Sequence, residues 1–345
     1  MKEEDLATAE QQARIEEIGQ NARASWFGLL ALLAFVGVAL LAHQDADFFV
    51  PDRQTTLPLI GIDVPVRAFF AVGPPLVAVV YAYFHLYLLP LWAEIGRIGA
   101  RHSAGGPVAE RVFPWLLVGA AFWLRSRRRR DRCAPDQALG GISAALSLAL
   151  SWAAGPALLA VFLLRALAVH DMQLALIGAL SLVTAGFVGL ATFAGFWARM
   201  GPGGGENGGR TAVWLQWTAG PAAAATVVLA VEAVENAWVP ADLREVRLAE
   251  RPEGLPEFDD WLEGFTERWK TARLLPHWEA VPTDRLLAFW RDASAAWREE
   301  IAGFQGPDLR GRDLRRADAF RLHAPRADVR GARFDGANLR EVDLT

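Results

Sequence analysis

Reactive side chains are sparse in this 345-residue chain, and they do not gather. Six histidines, His43, His85, His102, His170, His277 and His323, stand far apart, and the single cysteine is Cys133. No H-x-x-x-H or C-x-x-C pair occurs, so no metal-ligand spacing and no cofactor motif can be read. One cysteine also excludes an intrachain disulfide. The adjacent acids Asp259-Asp260 and Glu299-Glu300 point to different faces of a helix, as solvated residues do. The glycine run GPGGGENGG at 201–209 lacks the Lys-Ser/Thr and the preceding strand of a phosphate cradle, and it reads as a flexible linker. A Ser-His-Asp set is a spatial arrangement that scattered residues do not specify. The expectation is a protein that is not an enzyme and holds neither metal nor cofactor.

Three polar groups remain. His85 is the one titratable residue within the apolar run 68–91; it reads as a hydrogen-bonded packing histidine, with a proton-linked role as the alternative. Glu232 and Glu235 lie one helical turn apart at the end of another apolar run. Inside a bilayer they would be costly and functional; at the headgroups they simply end the helix, and the second reading is preferred. Arg125, Arg127, Arg128, Arg129, Arg130 and Arg132 form a basic cluster. Beside apolar runs, its simplest reading is contact with anionic lipid headgroups rather than a nucleic-acid patch.

The elements that must position these groups are apolar runs. Hydrophobic residues make up 53% of the chain, and they lie in long uncharged stretches instead of being dispersed as a soluble core requires. A polar segment, 1–25, without a cleavable signal pattern leads into an expected transmembrane domain over 26–238. Its spans are placed at about 26–42, 68–91, 142–168, 172–197 and 211–235, five in all. Pro74-Pro75, Gly155-Pro156 and Gly220-Pro221 mark kinks or delayed starts. Tyr81, Tyr83, Tyr87 and Trp92 read as an aromatic belt. The loop 93–137 carries nine arginines against Glu94, Glu110, Asp131 and Asp136, which makes it cytoplasmic by the positive-inside rule. Within it, Val112–Leu124 is too short to cross and is expected to be an interfacial or re-entrant helix.

The C-terminal part has a different period. From Pro307 the chain divides into fives, with central residues Leu309, Leu314, Ala319, Ala324, Val329, Phe334, Leu339 and Leu344. Small residues, among them Ala327, Ala332 and Ala337, stand two places before several of these. Two further fives, 241–250, are out of phase with the main array, so 239–250 reads as a first repeat strand and 251–306 as an insertion. In that insertion Phe258, Trp261, Leu262, Phe265 and Trp269 follow one helical face. Leu286, Trp290, Ala293, Trp297, Ile301 and Phe304 follow another.

Ala327-Asp328-Val329 and Ala337-Asn338-Leu339 match the consensus A-(D/N)-L-X-X, and the chain resembles bacterial membrane-anchored pentapeptide-repeat proteins. The run from Leu57 to Leu88 is also similar to a segment of uncharacterised bacterial membrane proteins. The repeat resemblance implies a right-handed, four-sided parallel β-helix over 307–345, with four fives per coil. Leu309, Leu314, Val329, Phe334, Leu339 and Leu344 would then form its core, together with Ala327, Ala332 and Ala337. The expected architecture is thus a membrane all-α domain, a helical insertion and a short β-helix.

For function, the leading expectation is a membrane-anchored protein-interaction scaffold in a bacterial inner membrane. Its partners would be membrane lipids, an unknown protein and a second copy, the last through Val329–Thr345 at the end of the array. The alternative is a pore or transport component built from the spans. Three of the five spans, 26–42, 68–91 and 172–197, contain no charged residue, which suits an ion path poorly. DNA mimicry, known among pentapeptide-repeat proteins, needs a strongly negative surface. Residues 307–345 hold nine arginines to seven acids, so nucleic acid is not an expected partner.

Overall fold

The structure is a computed structural model. It describes the chain except residues 1–5, 50–53, 57–62, 104, 113–114, 131, 135–138, 203–207, 247, 249–257, 273–282, 301–305, 325–326 and 345. Also outside it are the side chains of 6, 54–56, 63, 208–219, 258–259, 270–272, 283–285, 298 and 300. The middle of the glycine run, 203–207, and most of the loop 51–62 therefore lie outside the described residues. Two compact units divide near Pro240.

In the first unit, α1 (Ala9–Ala42) opens on a capping box. The Gln11 N–H donates to Thr8 Oγ1 at 3.3 Å, and the Thr8 N–H donates to the Gln11 side chain at 3.1 Å. Two otherwise free donors are satisfied at once. The helix is 34 residues long, roughly 51 Å at 1.5 Å per residue. The polar segment and the first span are thus one rod.

α2 (Val66–Arg97) carries Pro74, Pro75 and Pro90 inside it. Val77, Tyr81, Phe84, Leu88, Leu91 and Ile95 are buried at spacings of three and four, while Val72, Leu76, Val79, Tyr83 and Leu86 are exposed on the other side. A long exposed apolar stripe beside a buried one suits a helix with lipid on one side and protein on the other. α3 (Leu116–Arg129) has 14 residues, about 21 Å, which falls short of the roughly 30 Å hydrocarbon core.

α4 (Gly140–Leu148), a π-turn (Ala149–Ala153) and α5 (Ala154–Ala168) make one continuous helical path. α6 (Met172–Arg199) begins at Asp171, whose Oδ1 accepts from the N–H groups of Gln173 and Leu174. α7 (Gly208–Glu235) follows. Ala175 and Ala179 of α6 form a buried cluster with Ala230, Ala233 and Val234 of α7; such small residues allow helices to approach closely in lipid.

Four helical stretches among the described residues are long and apolar enough to cross a membrane: Ala9–Ala42, Val66–Arg97, Gly140–Ala168 and Met172–Arg199. Four of the five expected runs fall within these helices. The fifth run coincides with α7, whose first side chains, 208–219, lie outside the described residues.

In the second unit, α8 (Phe258–Ala272) and α9 (Thr283–Glu300) share a core of Trp261, Trp269, Phe289 and Ala293. Trp290, expected in the buried stripe, is 52% exposed, and Phe289 takes its place. Ala293 keeps its expected place, and at the stripe position before it Phe289 packs on Trp269 at 5.2 Å and on Phe265 at 5.7 Å.

The expected β-helix is also corrected. Among the described residues of 307–344 no strand occurs, and the described chain is mainly helical. Its only sheets among the described residues are two short pairs in the first unit. β1 (Leu6–Ala7) lies parallel to β4 (Arg101–His102), and β2 (Gln54–Thr56) antiparallel to β3 (Asp63–Pro65).

The fives form turns joined by single-residue parallel bridges: Asp308 with Asp328, Asp313 with Arg333, Asp318 with Asn338, and His323 with Asp343. Asp242 bridges Asp318 in the same way. The reason is local. Gly311, Arg316, Arg321, Gly331, Gly336 and Glu341 all have positive φ, so the backbone bends once in every five and pairing never extends into a ladder. Glycine takes this conformation freely, whereas arginine and glutamate do so at a cost of roughly 1–2 kcal/mol.

Candidate functional site

The most unusual chemistry lies inside the helical bundle, around Trp152. Pro156 has no N–H to give to the carbonyl four residues earlier, which is that of Trp152. The path relaxes into the π-turn Ala149–Ala153, a feature frequent at functional positions. The Trp152 carbonyl instead accepts the Tyr81 hydroxyl at 3.0 Å. Two neighbouring indoles are also satisfied: Trp152 Nε1 donates to Thr192 Oγ1 at 3.2 Å, and Trp26 Nε1 donates to Ser151 Oγ at 3.1 Å.

His85 lies one turn from Tyr81 on the same face of α2. Its Nδ1 is 2.9 Å from the Tyr81 carbonyl, an acceptor, so Nδ1 carries the proton and Nε2 presents a lone pair. That Nε2 is buried without a hydrogen-bond partner. Trp152 stands edge-on to the imidazole at 5.6 Å. The site is a single neutral acceptor in an apolar enclosure. It can take a hydrogen bond or a proton.

Glycines make room for this arrangement. A Cβ on Gly155 or on Gly189 would come within 2.5 Å of Tyr81. Tyr81 is therefore wedged between α5 and α6, and the belt reading is corrected for it. It is fully buried, as is Trp92, whereas Tyr83 is exposed and shares a 2.9 Å hydrogen bond with Tyr87. Tyr81 and Trp152 were missed as site residues. The signal for both was Pro156, which must leave the Trp152 carbonyl unpaired.

The arginine cluster divides in two. Arg125 is buried and donates to the Ile95 carbonyl at 2.6 Å. Arg129 donates to Gly96 O at 3.1 Å, to Gly201 O at 2.8 Å and to Arg199 O. Arg128 donates to Trp197 O, with its guanidinium 4.1 Å from the centre of the Trp197 ring. These three close the C-terminal ends of α2 and α6, where free carbonyls and the helix dipole favour cations. For them the lipid-facing reading is corrected. Arg127, Arg130 and Arg132 stay exposed.

Glu232 and Glu235 are exposed in the last turn of α7, on the side away from Ala230, Ala233 and Val234. Asn236 Nδ2 donates to Glu232 Oε2 at 3.0 Å.

In the repeat segment Leu309 and Leu314 are buried. Ala327, Val329, Ala332, Phe334 and Ala337 are half-buried. Leu339 and Leu344 are 46% and 42% exposed, so their expected burial is corrected. The reason is position. Residues 308–323 bridge forward to 328–343, and Asp318 also bridges back to Asp242, but 328–343 have bridges on one side alone among the described residues.

Comparison with known proteins gives no match: no family model fits the chain, and neither a curated protein nor a solved structure is similar to it.

Proposed function

We propose that this chain is a membrane-anchored, non-enzymatic scaffold. Its repeat segment, which resembles pentapeptide repeats, binds a protein partner or a second copy through Val329–Leu344. The exposure of Leu339 and Leu344 at the turn bridged on one side carries this reading. Apolar side chains beside unpaired backbone groups favour association. The same proposal puts the arginine-rich end in the cytoplasm of a bacterial cell and the helices in its inner membrane, on the arginine bias of 93–137. Nucleic acid is left out because arginines outnumber acids in 307–345. The test is the mass of the full-length protein in detergent, measured by light scattering. A dimer or larger species that Leu344→Asp converts to a monomer supports the proposal; a monomeric parent at high concentration rejects self-association and leaves only a different protein as the partner.

A second reading, a transport component, is favoured by one observation, the unpartnered Nε2 of His85 within the bundle. It requires proton-coupled flux in proteoliposomes that His85→Leu abolishes.

A further inference from the structure

Two cavities meet at α3. The first, about 520 Å³, lies between α1, α3 and α4, and its walls include Trp26, Phe27, Trp115, Leu116, Gly119 and Phe122. Phe27 and Leu116 are themselves 59% and 45% exposed, so this chamber opens sideways at the level of Trp26, where the apolar part of α1 begins. The second, about 430 Å³, is lined by Arg101, Arg127, Arg132 and Ser126. Trp123 and Ala134 belong to the walls of both. The Arg127 guanidinium lies over the Trp123 ring at 5.5 Å, which fixes a cation at the boundary between them. Arg23 and Glu110 also stand at the wall of the apolar chamber.

An apolar chamber open to the side and a basic chamber share one indole wall. We propose that together they bind one membrane lipid with an anionic phosphate headgroup. An acyl chain lies along Trp115, Leu116 and Phe122, and the phosphate is held by Arg101, Arg127 and Arg132. The arginines that cap α2 and α6 are not part of this site. Charge complementarity selects the headgroup, since basic pockets beside membrane helices attract anionic lipid. The lateral opening selects a bilayer lipid over a soluble phosphate, because only the lipid fills the apolar half. The site therefore adds lipid selectivity to the membrane anchor and does not depend on what the repeat segment binds.

The test uses the full-length protein in nanodiscs of phosphatidylcholine with a minor share of phosphatidylglycerol, followed by native mass spectrometry of the retained lipids. The parent is expected to retain one phosphatidylglycerol in preference to phosphatidylcholine. Arg127→Ala with Arg132→Ala should lower that preference by roughly 30-fold, from about 1 kcal/mol for each basic residue. Gly119→Leu fills the apolar chamber from within. A Cβ there meets no atom within 4 Å, so a side chain can be added without a clash at its root, and an unchanged thermal midpoint is the check that the fold is kept. It should lose the retained lipid while leaving the arginines in place.

Three results would overturn the proposal: equal retention of both lipids by the parent, retention by Gly119→Leu equal to the parent's, or displacement of the lipid by millimolar inorganic phosphate. The last would assign the arginines to a soluble anion.

Discussion

At the scale of single residues, the bundle is specified by what proline withholds. Pro156 leaves the Trp152 carbonyl open, and Tyr81 fills it at 3.0 Å from a helix far away in sequence. An unsatisfied buried acceptor costs roughly 1–3 kcal/mol, so Tyr81→Phe is expected to destabilise the protein by that amount while keeping the ring in place. Gly189→Ala is expected to cost a similar amount, roughly 1–3 kcal/mol for overpacking, because its Cβ would meet the Tyr81 hydroxyl at 2.5 Å. Unfolding by SDS in mixed micelles measures both, and parent-like midpoints for the pair would remove Tyr81 from the account. His85 was legible in the sequence as the titratable residue of an apolar run. Tyr81 was not, because its neighbours Tyr83 and Tyr87 made it look like part of an interfacial belt. Residues two apart on a helix face different ways, and that spacing was the available warning.

At the scale of elements, charge counts located the arginine-rich loop but not the direction of its side chains. Helical spacing contains that information in part. Arg125, Arg128 and Arg129 stand three and four apart on one face of α3, and these are the three that reach the carbonyl ends of α2 and α6. Arg125→Met is expected to cost roughly 1.5–3 kcal/mol, the range for hydrogen bonds from charged groups. Arg130→Gln, at an exposed cap with φ 57°, should fall within about 0.5 kcal/mol of the parent. Equal effects at the two positions would return the whole cluster to a surface role. In several repeats the acid before the central residue has a legible purpose. Asp308 and Asp328 each accept the backbone N–H two residues on and pair with the arginine there. The side-chain hydrogen bonds from Arg310 and Arg330 hold both carboxyls below the ordinary aspartate range. Their contribution to stability is therefore fully present above the unfolded value of about 3.9 and is lost only as the pH falls through the lower folded values. Resistance of this segment to proteolysis should hold between pH 7 and pH 5; a loss within that window would contradict the pairing. The repeat period was read correctly as a period of five. Its translation into strands was not, because a positive φ in every five shortens pairing to single bridges.

At the scale of the first unit, the contacts separate into two ends. At one, Arg14 of α1 pairs with Glu94 of α2 at 3.3 Å, and Arg129 joins the last carbonyls of α2 and α6. At the other, His43 stacks on Phe69 at 5.0 Å, Arg165 pairs with Asp45 at 2.8 Å, and Arg67 pairs with Asp171. His170 Nε2 also lies 3.0 Å from the Val239 carbonyl there, beyond the end of α7. α1 therefore runs opposite to α2 and parallel to the path from α4 to α5, while α6 runs parallel to α2. The apolar runs made these helices legible one by one; the pairing of their ends was not, since each ion pair joins residues far apart in sequence. This arrangement places Arg132 at one end and Gln44 and Asn236 at the other, and all three are exposed. With Cys133→Ala as the background, single cysteines at these three positions report the topology. If the arginine-rich end lies in the cytoplasm, as proposed, a membrane-impermeant thiol reagent applied to intact cells is expected to label positions 44 and 236 and to spare 132 until the membrane is opened. Labelling of 44 and 132 from the same side would mean that α1 does not cross. Labelling of 236 together with 132 would mean that α7 turns back without reaching the other face.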